Sequence, residues 1–133
     1  MKKTIYAFVL FVVVIGCDLG IDTYEIHDVS KKQIFRPEVR GLFSTSAYSI
    51  HVEGTLDGDA EIHVLPPNAD IHKERNCSVA DWTKMKSGKV NRIDNGSCYF
   101  KPGEKPYLYY VPCTAKKGHL KVRVSFSKYL SKD

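Results

Sequence analysis

The chain has 133 residues, with 20 Lys and Arg against 15 Asp and Glu, a formal net charge of +5, and 43% hydrophobic residues. That length suits one domain with a genuine core, and nothing in the composition suggests disorder, repeats or a second transmembrane span. The charge is concentrated enough at the N-terminus that its working value depends on how the first residues are read.

Those residues run in a fixed order. Lys2 and Lys3 supply a positive start, residues 5–15 are apolar and uncharged, and Val14-Ile15-Gly16-Cys17 closes the run. This is the order of an export signal. A transmembrane helix is the rival reading, but residues 5–16 span only about 18 Å of helix at about 1.5 Å per residue, against a bilayer core of roughly 30 Å. Asp18 and Asp22 follow at once and stop the apolar run. A simple secretory signal and a short anchor remain as alternatives.

The closing tetrapeptide resembles the lipobox of bacterial lipoproteins. The resemblance implies that the chain is cut between Gly16 and Cys17, and that Cys17, as mature first residue, carries acyl chains of the palmitate kind. One acyl chain holds a protein only marginally, whereas two or three anchor it stably. The resulting organisation is a cleaved signal over residues 1–16, a lipidated tether over 17–22, and a single β domain over 23–133. Asp18 directly after the cysteine resembles the inner-membrane retention signal of enteric bacteria, which implies the periplasmic face of the inner membrane in such a host and the cell envelope generally elsewhere.

Removing the signal takes away Lys2 and Lys3, so eighteen basic residues face fifteen acidic ones and the net charge becomes +3. Nucleic acid is therefore not an expected partner. The four cysteines also become three, Cys77, Cys98 and Cys113, in an oxidising compartment that favours one disulfide and one remaining thiol. If residues 98–100 and 107–111 pair as a hairpin, Cys98 lies too far along the ladder to reach Cys113, because bridged Cα atoms sit within about 7 Å. Cys77–Cys113 is the expected bond, with Cys98 as the alternative partner of Cys77.

In chain order, residues 23–29 and 33–36 read as edge strands, with Pro37 marking a break between them and the core. Tyr48, Ile50, Val52, Gly54 and Leu56 alternate with Ser49, His51, Glu53 and Thr55, which is the clearest strand pattern in the chain. Asp57-Gly58-Asp59 is a turn signal, and Ala60, Ile62 and Val64 resume the alternation before Pro66-Pro67, so a hairpin is expected. Ser78-Val79-Ala80-Asp81 resembles a capping box, Trp82 and Met85 are one helical turn apart and Gly88 can end the turn, so one short helix is expected near residues 79–86. Residues 89–93 and 97–100 flank Asn95-Gly96, a hairpin signal. Leu120, Val122, Val124 and Phe126 alternate with Lys121, Arg123, Ser125 and Ser127, and this strand is expected to pair with residues 107–111. Turn signals about ten residues apart point to an all-β antiparallel sandwich or partly open barrel. The positions of Cys77, Trp82 and Cys98 do not fit an immunoglobulin domain.

Two surfaces arise from these pairings. In the expected hairpin His51, Glu53 and His63 share an outer face and form a weak candidate zinc set; the favoured reading is an exposed cross-strand charge pair that needs no metal. Tyr107 and Tyr109 beside Lys121 and Arg123 form a candidate partner-binding surface, since tyrosine and arginine are common binding anchors. The competing reading packs alternate tyrosines into the core. His27, His72 and His119 read as separate surface histidines. There is no nucleophile elbow, no His-Glu-x-x-His and no phosphate-cradling loop, so no enzyme and no cofactor are implied. The expected function is an envelope lipoprotein whose β domain binds another macromolecule, of inhibitor, immunity or exclusion type. The alternatives are an assembly component of an envelope or secretion complex, and a metal- or thiol-dependent enzyme.

Overall fold

A computed structural model describes residues 20–41, 43–72, 77 and 83–127. Among them are eight strands: β1 (Ile21–Ile26), β2 (Gln33–Phe35), β3 (Thr45–Leu56), β4 (Ala60–Leu65), β5 (Thr83–Met85), β6 (Gly88–Phe100), β7 (Tyr107–Pro112) and β8 (Gly118–Ser127). All pairings are antiparallel. β1 pairs with β8, β2 with β7, β3 with β6 and β4 with β5, the nested pattern of one long hairpin. Two further pairings, β3 with β8 and β4 with β7, roll that hairpin into two four-stranded sheets of order β1-β8-β3-β6 and β2-β7-β4-β5. This is the topology of an eight-stranded jelly roll, a sandwich and not a closed barrel.

The alternation read from the sequence decides the faces. Ile50, Val52 and Leu56 of β3, Leu120, Val122 and Val124 of β8, and Ile62, Leu108 and Tyr110 of the second sheet are all buried in one inter-sheet core. A buried aliphatic side chain of this size contributes about 1.5–3 kcal/mol. The weaker early segments are strands at the two sheet edges, as their pattern predicts. β1 begins at Ile21, so Ile21 and Asp22 belong to the folded domain instead of a tether: Asp22 accepts from the Glu38 N–H at 3.1 Å and meets the Arg40 guanidinium at 2.7 Å.

The pairings differ from expectation in three places, for one reason. β3 and β4 are not a hairpin, β7 and β8 are not partners, and residues 98–100 do not pair with β7, because each of these connections crosses from one sheet to the other. A turn signal marks where the chain reverses and is silent on which sheet it re-enters. Asn95-Gly96 is no turn at all but the interior of β6. Gly96 serves close packing there, since a Cβ at this position would overlap the Tyr48 ring. The expected helix is also corrected: Thr83–Met85 is a strand, with Thr83 and Met85 buried and Lys84 exposed, and there is no helix among the described residues. Its pairing with β4 overrides the local helical spacing. Residues 78–82, including Trp82, lie outside the described residues.

The two crossovers at one end of the sandwich interlock. Asp57 Oδ1 accepts the Lys116 and Lys117 N–H groups at 2.8 and 2.9 Å, and the Asp59 carbonyl accepts from Cys113, Thr114 and Ala115. The Lys117 and then the Lys116 N–H hold the Asp57 carboxyl below the usual carboxylate range. A group depressed in the folded state stabilises above its unfolded value of 3.8 and loses that contribution as pH falls through the lower folded value. Stability should therefore decline below about pH 4. Asp57→Asn, which keeps an acceptor oxygen but cannot titrate, is expected to flatten the decline in urea midpoints measured from pH 6 to pH 2.

Candidate functional site

The outer face of the β1-β8-β3-β6 sheet collects the polar halves of four alternating strands. Register sets Glu25, Lys121, Glu53 and Asn91 in one row and Thr23, Arg123, His51 and Ile93 in the next. His51 Nε2 lies 3.0 Å from Glu53 Oε1 and 3.0 Å from Asn91 Oδ1. His51 is thus already held against two oxygens within its own sheet. Arg123 approaches Glu53 at 3.8 Å. Exposed pairs of this kind contribute about 0–1 kcal/mol each.

His63 is absent from that face. It lies on β4 in the other sheet, 3% exposed, with Nε2 3.0 Å from Glu61 Oε2 and Glu61 itself buried. The expected trio of His51, Glu53 and His63 is thus split between two sheets. It fails with the β3–β4 hairpin that was to assemble it.

The tyrosine and lysine surface separates in the same way. Lys121 and Arg123 are on β8, whereas Tyr107 and Tyr109 are on β7 in the opposite sheet. Tyr109 is buried in a small cluster with Leu65 and Val111, and Ala69 packs against it. Tyr107 lies under the Arg36 guanidinium, 4.0 Å from ring centroid to Cζ. Tyr110 points into the core, where its hydroxyl donates to the Val29 carbonyl at 2.8 Å. Burial, with Asp28 and Asp57 adding, pushes that hydroxyl up to about 12. The core reading of the tyrosines holds for Tyr110.

What the surface does expose is the β6 edge. β6 pairs only with β3 among the described residues, and its Ile93 and Tyr99 are 62% and 64% exposed. Phe43, just before β3, is 73% exposed, and the Tyr99 hydroxyl donates to Ser44 Oγ at 2.9 Å beside it. Ile93 and Tyr99 stand about 20 Å apart along the strand at about 3.3 Å per residue. No sequence signal marks this edge, because Asn95-Gly96 divides it into two shorter strands when read locally.

A cavity of about 200 Å³ opens between the sheets at the same side, lined by Tyr48, Ile50, Ile62, Thr83, Arg92 and Asp94. Its charges are committed to each other: Arg92 Nε donates to Asp94 Oδ2 at 2.7 Å and Nη1 to the Lys84 carbonyl at 2.6 Å. Burial raises the Tyr48 hydroxyl, with Cys98 and Asp94 adding, so it stays protonated.

Cys77 and Cys113 form a disulfide with Cα atoms 5.6 Å apart, the expected pair, even though β6 and β7 do not form the hairpin expected to keep Cys98 away from Cys113. Cys98 is a half-buried free thiol whose pKa is raised by burial and then by Glu104. A raised thiol is a poor nucleophile at neutral pH. Gly16, Cys17 and Asp18 lie outside the described residues, and no described helix is long and apolar enough to cross a membrane.

No family model matches the chain, and no curated protein matches it. Among solved structures, it is similar to the coat protein dimer of Tobacco streak virus at TM-score 0.41 and 11% identity, over 85% of this chain and 88% of that one. A second Tobacco streak virus coat protein structure gives 0.40 and 9%, over 86% and 91%. A CBM4 structure gives 0.31 and 16%, over 72% and 59%. Likenesses this weak bear on neither family nor function.

Proposed function

We propose that the chain is a lipid-anchored envelope lipoprotein whose β sandwich binds another protein beside the membrane. The observation that carries the reading is the order Lys2-Lys3, apolar run, Val14-Ile15-Gly16-Cys17. Because β1 opens at Ile21, only residues 18–20 would separate the lipidated cysteine from the folded domain. The sandwich would ride close to the lipid headgroups.

The binding half of the proposal rests on the β6 edge in place of the tyrosine and lysine surface. An edge strand offers main-chain groups to an extended partner segment, and exposed apolar side chains beside it supply anchors. Ile93, Tyr99 and Phe43 have that placement, each more than 60% exposed on or just beside the edge. In an enteric host Asp18 would retain the protein on the inner membrane, facing the periplasm.

The test is crosslinking in native membranes followed by affinity recovery. The wild-type protein is expected to retain a stoichiometric protein partner, and Ile93→Asp with Tyr99→Asp is expected to lose it while staying folded and membrane-bound. Equal recovery with the double variant, or no partner after crosslinking, contradicts the binding half.

A further inference from the structure

His27 and His119 come from opposite ends of the domain and meet at the β1–β8 seam. The register that pairs Ile26 with Leu120 and Glu25 with Lys121 brings His27, the residue just after β1, beside His119 near the start of β8. The two imidazole centroids are 5.0 Å apart. Glu25, two residues before His27, lies on the same side, with Oε2 3.4 Å from His27 Nε2. One ligand atom from each of the three residues lies within 4.8 Å of the other two.

The geometry points to a divalent transition-metal site, of the zinc class, held by Glu25, His27 and His119. Zn–N and Zn–O bonds of about 2.0–2.2 Å around a tetrahedral ion put donor atoms roughly 3.4 Å apart. The donor atoms already lie within 4.8 Å of one another, and His27 and Glu25, 74% and 50% exposed, have solvent around them in which to close to that spacing. Two imidazoles and one carboxylate are a donor set that suits zinc over the hard oxygen-seeking cations. Three protein ligands leave the fourth position open for water or an incoming group.

The surroundings set the strength. Lys121 pairs opposite Glu25 and Thr55 opposite His119, so one cation stands across the ladder from the carboxylate. Lys121→Gln is therefore expected to tighten the metal. The site is on the β1 edge of the sheet, the opposite edge from β6, and does not depend on the proposed partner surface.

Cobalt(II) titration of the full chain in detergent, followed by displacement with zinc, tests the assignment. One equivalent of Co²⁺ is expected to give a ligand-field spectrum that Zn²⁺ abolishes. Loss of a supporting outer partner alone weakens metal sites about 10–100-fold, so His27→Ala and His119→Ala are expected to weaken this one about 100-fold or more. His72→Ala and Cys98→Ser should leave it unchanged, and circular dichroism checks that each variant is folded. Binding no tighter than in the His27→Ala/His119→Ala double variant, or binding lost in Cys98→Ser and kept in His27→Ala, overturns the proposal.

Discussion

Cys113→Ala is expected to lower the free energy of unfolding by about 4 kcal/mol, the largest effect of a single side chain outside the core. The disulfide closes a sequence separation of 36 residues, and the chain-entropy relation for a loop of that length gives about 4 kcal/mol. Domains of this size have about 5–15 kcal/mol in total, so the loss is a major fraction. The substitution isolates the crosslink well. Cys113 also donates its backbone N–H to the Asp59 carbonyl at 2.9 Å, and alanine keeps that bond. Urea unfolding should show the reduced wild type and Cys113→Ala with the same midpoint, and Cys98→Ser close to the oxidised wild type. A Cys113→Ala stability within about 1 kcal/mol of the oxidised protein would mean that the bridge constrains little.

Gly54→Ala is expected to cost about 3 kcal/mol or more, through a backbone collision instead of a cavity. Gly54 has φ +147, and a Cβ there would overlap the His119 carbonyl oxygen and stand 3.0 Å from Leu120 Cα. β3 lies between β8 and β6 in its sheet, so neither neighbour can yield without breaking a ladder. Gly118 is the counterpart across the seam, where a Cβ would overlap the Thr55 carbonyl. Gly103→Ala is the control: its φ of +85 strains an alanine, but nothing lies within 4 Å of the new methyl. That variant should lose about 1–2 kcal/mol, and the difference between the two measures the collision. Equal losses would place the whole effect in backbone strain.

Periodicity carried the strands and little of their assembly. β3 and β8 were readable because one face of each meets a dry core and the other meets water, so their side chains record the fold directly. Pairing was not readable, because in a jelly roll most neighbours in sequence lie in different sheets. Asp57 is polar because its carboxylate receives the Lys116 and Lys117 N–H groups, a demand set by a segment more than fifty residues away, and the Asp59 carboxylate accepts the Ser87 N–H from beyond β5. Asn95-Gly96 imitates a turn because Tyr48 needs the space a Cβ would fill. Met85 suits a helix face and a three-residue strand equally, and only β4 decides between them.

The candidate site residues were hidden by the same crossings. His51, Glu53 and His63 were joined by a hairpin that does not form, while His27 and His119 looked solitary because only the closure of β8 onto β1 brings them together. Short-range patterns assign a residue to a face. Which other residues share that face depends on the topology, and every constellation inferred from adjacent strands fails when the chain crosses between sheets.

Mass spectrometry of the N-terminal peptide, from protein isolated with the membranes of the cells that make it, decides whether the domain is held by lipid. The expected product is a chain that begins at Cys17, with a diacylglyceryl group on the Cys17 sulfur and the protein released to the soluble fraction by Cys17→Ser. A chain that keeps residues 1–16, or one that begins at an unmodified Cys17, would contradict the lipoprotein assignment.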